Sequence, residues 1–110
     1  MLSASTPDPP YYAVIFTNIH TGIDVDAYEA AAERMERLAA EQPGFRGVES
    51  ARGADGLGIT VSYWDSEEAI AAWKAQVDHR QAQADGQDRW YQHYVTRVAK
   101  VERAYRFPAP

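Results

Sequence analysis

The stretch AWKAQVDHRQAQ, residues 72 to 83, carries Trp73 and His79 in what reads as one helix. An imidazole titrates near neutrality and can ligate iron or move a proton. An indole can stack on a flat ligand. Upstream, Asn18 stands late in the apolar run YYAVIFTNI, residues 11 to 19. A carboxamide at the edge of an apolar surface is free to bind oxygen, peroxide or a carbonyl. These three residues are the candidate catalytic set. Phe16, Trp64, Gln83 and Tyr91 are candidate substrate-binding residues, and the rings of Phe16, Trp64 and Tyr91 with those of Trp73, Trp90 and Tyr94 bring a large aromatic content to a short chain. A pocket walled by such rings, with one or two polar groups, suits a flat aromatic ligand.

Helix geometry divides this set. At about 100° per residue, Ile70, Trp73 and Val77 form one stripe, while His79 falls on the side of Ala72, Gln76 and Gln83. A straight helix does not aim Trp73 and His79 into one cleft. A break between Lys74 and Asp78 would do so, but neither Gly nor Pro lies there. From the residues alone, Trp73 is most simply core and His79 a solvated histidine. His20, beside a turn, and His93, among Tyr91 and Tyr94, make a thinner case, and the spacing from His79 to His93 fits no standard metal motif. Glu67 and Glu68 suit a helix N-terminus. Gly53, Gly56 and Gly58 belong to a hairpin rather than a phosphate loop.

The composition narrows the function classes. The chain has 110 residues, 45% hydrophobic and 25% charged, with a net charge of −5. That fits one soluble domain with a modest core. Acidic and basic residues are interspersed, which disfavours nucleic acid as a partner. Cysteine is absent, so disulfides, thiolate catalysis and Cys-ligated clusters are excluded. The first ten residues, MLSASTPDPP, lack a basic start and an apolar run, so they read as a loose tail rather than a signal peptide. No segment is long and apolar enough to span a membrane. The cytoplasm is the expected location.

The elements that must position the candidates follow from patterning. Residues 11–19 form a strand with Tyr12, Val14, Phe16 and Asn18 on one face and Tyr11, Ala13, Ile15 and Thr17 on the other. Both faces are mostly apolar, which suits a strand covered on both sides. Asp24 or Asp26 can cap a helix over 26–42, with Tyr28, Ala31, Met35 and Leu38 on its inner side. Pro43-Gly44 stops it. Strands follow at 45–52 and 57–64, joined by the turn GADG. Asp65 and Glu68 have capping-box spacing for a second helix at 66–84. DRWYQHY, 88–94, is expected to form a short helix, and 95–107 a final strand. The order β-α-β-β-α-β predicts an α+β ferredoxin-like domain over 11–107, with two helices on one face of a four-stranded antiparallel sheet. The uncovered face predicts a homodimer built sheet to sheet.

The strand ending in Asn18, the block ITVSYWDSEEAIAAWK and the chain length resemble the antibiotic biosynthesis monooxygenase superfamily. The resemblance implies a dimeric α/β barrel of ferredoxin-like protomers and dioxygen chemistry on a flat aromatic or haem-like substrate. Cofactor-free members require no cofactor, whereas the haem-degrading branch would add haem. In that branch the resemblance assigns a strand asparagine to Asn18 and a helix tryptophan to Trp73. The register of its iron-ligating histidine falls on Gln83, with His79 one turn earlier. The alternative is a non-enzymatic barrel that binds a small apolar ligand.

Overall fold

The computed structural model describes residues 4–83 and 90–108, with backbone only over 79–83. The elements run β1 (Tyr11–His20), α1 (Val25–Ala40), β2 (Phe45–Arg52), β3 (Leu57–Trp64), α2 (Glu67–Gln83) and β4 (Tyr91–Val101). The sheet is antiparallel, ordered β2-β3-β1-β4. This is the ferredoxin-like plait expected from the patterning.

The core lies on the helix-covered face at one end of the sheet. Trp64 is fully buried there with Ala39 and Ile70, and Tyr12, Val14, Phe45, Ala69 and Trp73 pack around them. Phe45 meets the Trp64 ring edge-on at 5.4 Å, and Trp73 stacks on it at 5.9 Å. The stripe Ile70, Trp73 and Val77 is the inner side of α2, while Ala72 and Gln76 are exposed. Gly44 closes this end. Its φ of 86° favours glycine, and a Cβ there would lie 2.7 Å from that of Ala69.

Three local expectations are corrected. Ser66, not Asp65, caps α2: its hydroxyl accepts from the Ala69 N–H at 3.1 Å. Asp65 is engaged elsewhere, in a two-pronged pair with Arg46 at 2.6 and 2.7 Å. Arg46 pulls the Asp65 carboxyl below the ordinary carboxylate value, through its hydrogen bonds and its charge. Of the helix expected at 88–94, residues 88 and 89 lie outside the described residues and Trp90 is helical, but from Tyr91 onward the chain is strand. The end of β1 needs a backbone partner, and β4 supplies it: His20 pairs with Tyr91, and the Thr21 N–H donates to Trp90 O at 2.8 Å. At the other end β4 stops at Val101 rather than running to 107. Val101 pairs with Tyr11, the first residue of β1, and Pro9-Pro10 before it offers no N–H to continue the ladder.

Among the described residues, no helix lies on the second face of the sheet. Tyr11 and Tyr63 meet edge-on there at 5.8 Å, and Tyr63 donates to Glu49 at 2.7 Å. Burial and that hydrogen bond push the Tyr63 hydroxyl up to about 12. Ile59 and Val95 on this face are each 44% exposed. Among the described residues, no helix is long and apolar enough to cross a membrane.

Candidate active site

A second cluster forms at the opposite end of β1 from Trp64. The rung Tyr12–Trp64 and the rung Asn18–Gly58 are separated by six residues of strand, about 20 Å. Asn18 is 1% exposed. Its Oδ1 accepts from Arg52 Nη2 at 2.8 Å. The same nitrogen donates to the Tyr28 hydroxyl at 2.9 Å, and Arg52 Nη1 donates to Gly56 O at 2.7 Å. The guanidinium carbon stands 5.4 Å from the Tyr28 ring centre, within cation–π range. Arg52 thus ties together the last residue of β2, the hairpin, the first turns of α1 and the buried amide of β1.

Aromatic rings close around this hub. His20 and Tyr28 meet at 4.3 Å, Tyr28 and Tyr91 at 5.7 Å, Tyr28 and Trp90 at 5.8 Å. Phe16 lies edge-on to Tyr91 at 5.5 Å and tilted against Tyr94 at 5.3 Å. Beside them opens a cleft of about 360 Å³, lined by His20, Val25, Tyr28, Glu29, Arg52 and Asp55 among others. His20, Tyr28 and Arg52 border both cleft and cluster.

The electrostatics of the cluster favour an acceptor-bearing ligand. Among the described residues, three buried side-chain donors lack a partner: Asn18 Nδ2, His20 Nε2 and Trp90 Nε1. An unsatisfied buried donor costs about 1–3 kcal/mol, so each of the three calls for an acceptor, from a water or from a ligand oxygen. The His20 tautomer follows from its neighbour. Nδ1 accepts from the Gly22 N–H at 3.0 Å, so the neutral ring carries its proton on Nε2. A second proton would set an N–H against an N–H. Burial, and then the Arg52 charge, hold the His20 pKa below 6.5. Burial and the Tyr28 hydroxyl push Tyr91 far above the ordinary tyrosine value, against the opposing pull of Arg52.

The residues expected from sequence divide between the two ends. Asn18, Phe16 and Tyr91 come together in the cluster. Trp64 and Trp73 stack in the core, and the Trp64 indole donates to Ser62 at 2.9 Å. The α2 backbone runs through His79 and Gln83, but their side chains lie outside the described residues. His20, Tyr28 and Arg52 do not stand out from sequence as one site. One signal was present: the turn GADG sets Arg52 opposite Gly58, a long cation facing a residue with no side chain.

The His20 environment has a testable consequence for stability. Its folded-state pKa is lowered, so below 6.5 the unfolded chain binds the proton more readily than the folded one. Stability contributed at His20 is therefore intact above pH 6.5 and is lost as pH falls through the folded-state value. Denaturation midpoints measured from pH 7.5 to 5 should fall, and His20→Gln should flatten that slope. An unchanged slope in His20→Gln would show that the imidazole is free to take the proton.

Comparison with known proteins places the chain. The family model for antibiotic biosynthesis monooxygenase matches residues 10–85. The uncharacterized protein YqjZ of Bacillus subtilis is 54% identical over 104 residues, covering 94% of this chain and 90% of its own. Among solved structures, PA3566 of Pseudomonas aeruginosa superposes with a TM-score of 0.67 at 12% identity, over 90% of this chain and 99% of the other. SnoaB of Streptomyces nogalater, a cofactor-independent oxygenase, does so with a TM-score of 0.65 at 16% identity, over 91% and 99%. The chain belongs to the antibiotic biosynthesis monooxygenase family.

Proposed function

We propose that the protein is a cofactor-independent monooxygenase that acts with dioxygen on a flat aromatic substrate bearing a phenolic or enolic oxygen. The observation that carries this reading is the fully buried Asn18 amide, whose Nδ2 has no partner while its Oδ1 is held by Arg52. His20 and Tyr28 wall the cleft for a ring system, with Trp90 and Tyr91 packed behind Tyr28 and Phe16 behind Tyr91. The three unpartnered donors supply hydrogen bonds for its oxygens or for reduced dioxygen. SnoaB supports the cofactor-free form, since it shares the fold and works without a cofactor.

The chemistry balances without a cofactor. The substrate loses a proton to water in the open cleft. Its carbanion passes one electron to dioxygen, and the radical pair combines into a carbon–oxygen bond. The resulting hydroperoxide loses water, so a ring methylene becomes a carbonyl as one dioxygen yields one ketone oxygen and one water. The protein's share is orientation and charge stabilisation: Asn18 Nδ2, His20 Nε2 and Trp90 Nε1 donate to oxygen as negative charge builds. His20 presents an N–H rather than a lone pair, so it serves as a donor and not as the base.

That same feature favours a second reading, a non-enzymatic barrel that holds an aromatic acceptor. Oxygen consumption separates the two. With a hydroxyanthrone or a reduced polycyclic phenol, the enzyme consumes oxygen and forms the quinone, whereas the binder retains the compound unchanged.

Haem is the remaining family option. It would need Asn18, Trp73 and His79 around one group. Trp73 stacks on Trp64, in the core at the far end of β1 from Asn18, so Asn18 and Trp73 do not share a haem pocket. Titration of the protein with hemin should give no saturable Soret shift. A stoichiometric shift, lost in His79→Ala, would contradict this.

The oligomer is part of the proposal. One face of the sheet is apolar across Ile15, Ile59, Val61 and Val95, with no helix over it among the described residues. A second copy packed sheet to sheet covers it. Sedimentation at micromolar concentration should give a particle of about twice the chain mass, and a monomer would contradict the arrangement.

A further inference from the structure

We propose that Arg52 is the positioning residue of the site, and that Gly58 is glycine in order to admit it. The inference rests on Asn18 being the key donor and goes on to say what aims it. Arg52, Gly58 and Asn18 form one row across three strands, since Gly58 pairs with Arg52 on one side and with Asn18 on the other. Neighbouring strands are about 4.8 Å apart, so Arg52 must reach across about 10 Å of sheet to meet Asn18. The only path runs over position 58. A Cβ at Gly58 would lie 2.6 Å from the Arg52 guanidinium carbon and 2.7 and 2.8 Å from its two terminal nitrogens. The guanidinium therefore lies flat on the bare backbone of β3.

Conformation does not require this glycine. Gly58 is absent from the positive-φ glycines Gly22, Gly44, Gly47 and Gly56, so its backbone suits alanine. Mid-strand glycine weakens a strand, and the space it leaves is filled by Arg52. The consequence for Asn18 is directional. A guanidinium only donates, so it selects Oδ1 and turns Nδ2 away, where that nitrogen is left unpartnered. The bonds to Tyr28 and Gly56 O fix the guanidinium itself. Charged and titratable neighbours around it are His20 on β1, Tyr28 and Glu29 on α1, Asp55 in the hairpin and Tyr91 on β4.

The test is a mutant cycle of Arg52→Met, Gly58→Ala and the double variant, with Arg52→Lys as the conservative control. The first readout needs no ligand: the side-chain carboxamide resonance of Asn18 in a proton–nitrogen spectrum, assigned by its loss in Asn18→Asp. Arg52→Met and Gly58→Ala should move it in the same direction, the double variant should move it no further, and Arg52→Lys should restore part of the shift. Gly58→Ala should still melt in one cooperative transition well above the assay temperature, showing that the change is not unfolding. In the oxygen assay each single variant should lower kcat about tenfold, the loss of one charge-assisted hydrogen bond, with KM within about twofold. Losses that add in the double variant, or an unmoved Asn18 resonance in Gly58→Ala, would overturn the proposal. Wild-type protein that consumes no oxygen would end the oxygenase reading, and the spectra would still decide the role of Arg52.

Discussion

Trp64→Ala should lose about 3–5 kcal/mol of stability, the range for removing a fully buried large aromatic from a core. Trp64 is 0% exposed. It touches both layers: it ends β3, receives the Phe45 edge, and stacks with Trp73 from α2. Removal leaves a cavity between sheet and helix that backbone movement cannot fill. It also strips the Ser62 hydroxyl of its donor. A domain of this size holds about 5–15 kcal/mol in total, so the variant should unfold at far lower denaturant or fail to accumulate. Trp73→Ala should cost less, because that ring is only partly buried. Chemical denaturation of both variants checks the ranking. A Trp64→Ala midpoint close to wild type would mean that the core lies elsewhere.

Asn18→Ala should lower kcat for oxygen consumption by about 10²-fold, the size reported by removal of one preorganised donor in an oxyanion site. The amide is wholly buried, so its N–H meets no bulk water, and Arg52 prevents it from turning over. A donor fixed in advance costs no reorganisation when charge develops. Alanine removes the donor and also leaves an Arg52 donor without its acceptor, so some stability should be lost as well. The activity loss should exceed the stability loss, and a thermal melt on the same sample separates them. Asn18→Asp should be at least as inactive, since a carboxylate accepts from Arg52 but offers no N–H to oxygen.

Much of the fold was legible because its signals are local. Alternation in YYAVIFTNI, the stop at Pro43-Gly44 and the turn GADG fixed three strands and the intervening helix within about two residues. The second stretch of strand was harder. Tyr91, His93 and Tyr94 belong to β4 because β1 needs a partner as far as His20, a tertiary demand that a local pattern does not carry. The site was half legible. Asn18, Phe16 and Tyr91 were marked by their polarity and ring content. Trp73 was drawn to the site by resemblance, while its helical stripe with Ile70 and Val77 already pointed to the core. Arg52 and Tyr28 stayed hidden because their roles depend on a row across three strands and on where α1 crosses it. His20 looked like a turn residue because the cause of its importance, Arg52 and the rings of Tyr28 and Tyr91, is distant in sequence.

Oxygen uptake with a hydroxyanthrone, by wild type and by Asn18→Ala at equal folded concentration, decides whether the buried amide takes part in oxygen chemistry. Wild type should consume oxygen stoichiometrically and form the quinone, at a rate that falls about 100-fold in the variant. Equal consumption by both proteins, or none by the wild type across a panel of such phenols, would contradict it.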